Sequence, residues 1–129
     1  MKRGSTLLVA VALAIAAAFL AASGCSKNKT TNAVVKELDS GDILFGAPAF
    51  RHVFNTAGTF PYHCQHHPSV MTGSITVDAS AAAESIVVQI TGSTAAPGYA
   101  PDNAAIKPNG NVRWVNNSSD AATHTVTSD

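Results

Sequence analysis

The chain has no surplus of charge of either sign: eight Lys and Arg stand against eight Asp and Glu, and charged residues make up only 12% of its 129 positions. That excludes the basic footprint by which nucleic acid is held, so no nucleic-acid partner is expected. Helical periodicity is equally scarce. Short alternating runs bounded by Gly, Pro, Asn and Asp recur instead, which predicts an all-β antiparallel sandwich or barrel. The marks of catalysis are missing too. The acidic residues form no obvious pair, and neither a Gly-rich phosphate loop nor a serine-nucleophile motif appears. Cysteine is limited to Cys25 and Cys64.

There is one long apolar run. "MKRGST" carries two positive charges and "LLVAVALAIAAAFLAA" follows it, the n- and h-regions of a secretory signal over residues 1–24. At residues 7–22 the run is short against the roughly 20 apolar residues that span a bilayer. It ends in "AASGCSKNKTT", which resembles the lipobox of bacterial lipoproteins, with Ala22 where Leu is favoured. The resemblance implies lipidation at Cys25, a polar tether over residues 25–36, and an exported protein held to a membrane on the periplasmic or cell-surface side. A cleavage site for an ordinary signal peptidase nearby is the alternative. With Cys25 lipidated, Cys64 is a lone thiol in an oxidising compartment, where paired thiols become disulfides. A Cys25–Cys64 disulfide requires the lipobox reading to fail.

Residues 37–129 form the predicted domain. In "AFRHVFN", Phe50, His52 and Phe54 share one strand face and Arg51 and Val53 the other. In "TFPYHC", Phe60, Tyr62 and Cys64 point one way and Pro61 and His63 the other. "GSITVDAS" puts Ile75 and Val77 on one side. Residues 78–84 read as a connector before the strand "SIVVQITGS". Residues 95–105, "AAPGYAPDNAA", read as a loop because two prolines and a glycine interrupt them. "IKPNGNVRWVNNSS" predicts a turn at Pro108-Asn109-Gly110 ahead of a strand with Val112, Trp114 and Asn116. "THTVTSD" reads as the last strand. His63 is expected at the surface and His52 as a partly buried packing residue.

"YHCQHHPSVMTG", residues 62–73, gathers one cysteine, three of the chain's five histidines and one methionine. Cys64, His67 and Met71 offer a thiolate, an imidazole and a thioether, a soft set that suits copper better than calcium or magnesium. His66 could replace His67, at the cost of a strained loop.

"FNTAGTFPYHCQHHPSVMTGSITV" resembles the closing segment of the cupredoxins, the plastocyanin-like blue copper proteins: a strand with Cys, a loop with His and Met, and a final strand. In that family the remaining histidine lies far upstream, after a strand of the type "VRWVNN" and within a segment like "HTV". Here the matching segment comes last, and the resemblance makes His124 the missing ligand. The order therefore resembles a circularly permuted, cupredoxin-like Greek-key β-sandwich, with residues 78–84 joining the usual last and first strands. Two partial domains joined in one chain would give the same order.

The resemblance implies one copper per chain, with Cys64, His67 and His124 as equatorial ligands and Met71 as a weak axial one, three residues separating Met71 from His67. It implies one-electron transfer with redox partner proteins, met through an apolar patch for which Phe45, Ala47, Pro48, Val70 and Pro97 are candidates. A monomer is expected. A copper chaperone or store is the alternative function. Copper oxidases place a second histidine where Gln65 stands, so catalysis is not expected.

Overall fold

The computed structural model describes residues 36–129. The expected signal at 1–24, Cys25 and nearly all of the 25–36 tether lie outside the described residues. Six strands occur among the described residues: β1 (Phe50–Phe54), β2 (Gly58–His63), β3 (Thr72–Val77), β4 (Ala83–Ser93), β5 (Ala96–Ala100) and β6 (Asn103–Asn116). No helix occurs among the described residues, and the domain is all-β.

The strands form one mixed sheet in the order β2-β3-β6-β4-β5, with β1 also paired to β6. β6 runs through all of it. Its first residues lie parallel to β3, with Ile75 opposite Ala104 and Val77 opposite Ile106. Its last residues lie between antiparallel β1 and parallel β4. The expected turn at Pro108-Asn109-Gly110 does not interrupt it. Ala83 faces Ile106 but Ser85 faces Asn111, so residues 107–110 bulge against Glu84 alone. Asn109 takes φ 66°, a left-handed conformation that Asn tolerates. A Cβ on Gly110 would meet the Lys107 carbonyl at 2.7 Å, so glycine permits the bulge, which lets one strand change partners midway.

Residues 95–105 are not the expected loop. They form β5 and the start of β6, with Thr91 opposite Gly98 and Gln89 opposite Ala100. Proline forbids strand only where its missing N–H is needed. β5 lies at the sheet edge, where Pro97 leaves one rim position without a donor. β4 also begins at Ala83, inside the segment expected to be a connector.

Alternation placed the apolar faces of the first three strands. Phe54, Tyr62, Ile75 and Val77 are buried, whereas Arg51, Val53 and Pro61 are exposed. They join Val88, Ile90, Ile106, Val112 and Trp114 in one core that also contains Cys64 and Met71. Rings interlock across it: Tyr62 meets Tyr99 at 4.9 Å and Trp114 at 5.5 Å between centroids, both edge-on. His52 packs edge-on against Phe54 at 4.6 Å, as expected. His63 differs from expectation, its side chain being only 22% exposed and 3.5 Å from an Asp129 carboxylate oxygen.

The last segment, residues 124–128, is held on both edges. Ile43 N–H donates to His124 C=O at 2.7 Å and Ser40 N–H to Val126 C=O at 3.1 Å. On the other side His63 and Thr127 exchange backbone bonds of 2.9 and 3.0 Å. Leu38 N–H donates to Ser128 Oγ at 3.0 Å, and Ser128 N–H to Leu38 C=O at 2.9 Å.

Gly92 closes the β4–β5 hairpin at φ 82°, and a Cβ there would run into the Ala96 carbonyl. Gly92→Ala is expected to cost about 2–3 kcal/mol, read as a lowered denaturation midpoint; an unchanged midpoint would show that the hairpin relaxes freely.

Candidate metal centre

Cys64 leaves the end of β2 and is fully buried. The loop after it closes on itself: Cys64 N–H donates to Met71 C=O at 3.0 Å, while His67 N–H donates to Cys64 C=O and Met71 N–H to His67 C=O, both at 3.0 Å. These bonds hold His67 over the cysteine. Met71 itself is buried at the base of the loop, in the same core as Cys64.

His124 arrives from the other side on the doubly held segment. The structure brings Cys64, His67 and His124 together, with one donor atom from each lying within 4.8 Å of the other two. Nδ1 of His67 and Nδ1 of His124 each lie 3.8 Å from Cys64 Sγ. The equal separations place two imidazole nitrogens symmetrically about one sulfur. A metal–sulfur bond of about 2.3 Å and a metal–nitrogen bond of about 2.0–2.1 Å, at an angle near 120°, set the donors about 3.8 Å apart. The residues present therefore fit a metal ion. His66 stands aside, its Nε2 2.9 Å from an Asp42 carboxylate oxygen and its side chain largely in solvent, so His67 is the histidine of this loop that joins the cluster.

The electrostatics prepare His124 as a ligand. Burial, reinforced by the facing His67, pushes its pKa below the ordinary value, which favours the neutral ring; in the tautomer protonated at Nε2, Nδ1 offers a lone pair. Its buried Nε2 has no hydrogen-bond partner. The ring is thus aimed at the sulfur without help from its far side.

Three residues to which the sequence reading gave no role at the site hold the arrangement. Thr125 N–H donates to Cys64 Sγ at 3.4 Å, its Oγ1 accepts from Gln65 N–H at 2.8 Å, and its carbonyl accepts from the Tyr99 hydroxyl at 2.5 Å. Burial, with Cys64 nearby, pushes the Tyr99 phenol far above its ordinary pKa, which keeps it a donor. Asn116 Nδ2 donates to the carbonyls of Ile43 at 2.8 Å and Ala122 at 2.7 Å, and its Oδ1 accepts from Ser118 N–H at 3.0 Å. It thereby ties both segments beside His124 to the end of β6. Asn116 was legible only as an inward strand position.

Two outcomes follow for the protein without metal. Asn116→Ala is expected to cost about 2–4 kcal/mol, because buried carbonyls lose donors, and to weaken metal retention; denaturation and a metal titration read the two effects. As pH falls below the unfolded His value of about 6.5, the unfolded chain takes up a proton at His124 before the folded one does. Stability should therefore decline from there towards the depressed folded pKa, and His124→Gln should flatten that decline.

No protein-family model, curated protein or solved structure matches the chain, so the chemistry of the donors carries the functional reading.

Proposed function

We propose that the chain binds one copper ion through Cys64, His67 and His124, with Met71 as a weak axial ligand, and that it carries single electrons. The observation that carries this is the paired 3.8 Å separation of two imidazole nitrogens from one buried sulfur, the donor set of trigonal His₂Cys copper sites. When bound, copper supplies a one-electron couple between Cu(I) and Cu(II). The chain's own part is to hold the donors still. The loop bonds fix His67, the pairing with Ile43 fixes His124, and the Thr125 N–H directed at Cys64 Sγ orients the sulfur. Burial of Cys64 and His124 keeps water from the donors.

The fold belongs to the same proposal: a cupredoxin-like Greek-key sandwich whose usual order is restored by reading β4, β5, β6 and residues 124–128 first, then residues 37–77. The mutual hydrogen bonds of Leu38 and Ser128 support this. Those residues stand side by side, as the arms of a hairpin do, where the permuted order needs a join.

Leu44, Phe45 and Val70 are 58%, 54% and 67% exposed and lie on the two segments next to the ligands. In this reading they meet a redox partner. Export and a lipid anchor at Cys25 rest on the amino-terminal sequence alone.

Absorption spectroscopy of the Cu(II)-loaded protein tests the reading. An intense visible thiolate-to-copper band is expected, absent in Cys64→Ser, and Met71→Leu should retain copper while changing the reduction potential. Bound Cu(II) without that band, together with a potential indifferent to Met71→Leu, would favour a copper store instead.

A further inference from the structure

The outer face of the sheet carries two arginines in one row. Arg51 on β1 and Arg113 on β6 are direct cross-strand partners, and Val87 on β4 faces Arg113 from the other side. Directly opposed side chains stand about 5 Å apart at Cβ, and like charges in that position destabilise a sheet.

Nothing in the fold offsets this. All eight acidic residues of the chain lie within residues 36–129, yet among the described residues the ion pairs are His52–Glu37, His63–Asp129, His66–Asp42 and Lys107–Glu84. Neither arginine has a carboxylate. Solvation of Arg113 is incomplete, because its Nε is buried and has no hydrogen-bond partner. A donor of a charged group left without an acceptor is costly. Val53 and Val87 border the pair and are 43% and 41% exposed.

We propose that Arg51 and Arg113 together form an oxoanion site that takes a phosphate group. The terminal Nη atoms of two neighbouring guanidinium groups can meet the oxygens of a tetrahedral anion through charge-assisted hydrogen bonds, which relieves the repulsion. Free phosphate and the phosphate of a lipid headgroup offer the same chemistry. The inference is independent of the metal reading, since no ligand of the candidate centre lies in this row.

The test uses the full chain. Inorganic phosphate is titrated at ionic strength held constant with NaCl, and backbone amide shifts of β1, β4 and β6 are followed. Phosphatidylglycerol and phosphatidylcholine vesicles form a second arm. Saturable shifts around Arg51, Val87 and Arg113 are expected, weakened about tenfold or more in Arg51→Gln and in Arg113→Gln and unchanged in Lys107→Gln. At low salt Arg51→Gln should also raise the unfolding midpoint, since it removes the repulsion. Preference for phosphatidylglycerol that Arg51→Gln abolishes identifies a headgroup as the source, whereas phosphate binding without vesicle preference identifies a soluble phosphate. Absence of binding in both arms, or wild-type affinity in the arginine variants, overturns the proposal. Should Arg113→Gln fail to fold, Arg51→Gln, at an exposed position, decides alone.

Discussion

Residues 124–128 are wedged between residues 38–43 and the end of β2, and everything at the candidate centre hangs on that pairing. It sets the His124 ring against Cys64 from one direction while the loop after β2 brings His67 from the other. Thr125 is where the two meet. Its N–H reaches the sulfur, its hydroxyl accepts from the ligand loop, and its carbonyl is capped by Tyr99.

The rest of the sheet serves this wedge. Asn116 at the end of β6 binds the carbonyls of Ile43 and Ala122 on either side of it. β5, held to β4 through the Gly92 hairpin, delivers Tyr99 to Thr125. The donors therefore sit in a frame of hydrogen bonds that the chain itself supplies.

Much of this was legible in the residues because strand burial has a period of two. The inward faces of β1, β2 and β3 could be read directly from Phe54, Tyr62, Ile75 and Val77. The soft donors of residues 62–73 were visible as a local cluster, whereas His124 entered only through resemblance, since no local pattern links it to a cysteine so far away. Two differences from the sequence expectation share one cause: the prolines around β5 and the Pro-Asn-Gly of β6 have the composition of interruptions. At a sheet edge and in a bulge they are compatible with pairing. The positioning roles of Thr125, Tyr99 and Asn116 had no signal at all, because each acts through a hydrogen bond that only the tertiary fold creates.

Cys64 and His124 are 60 residues apart in sequence, and that separation has a kinetic meaning. Contacts of such long range close late, after the entropy of a large loop has been overcome. During synthesis the thiol emerges well before the imidazole that will shield it. Until His124 has emerged, the sulfur faces solvent with only its neighbouring histidines. Acquisition of an ion by the complete donor set must follow folding, and any oxidation of the sulfur has its window in that interval.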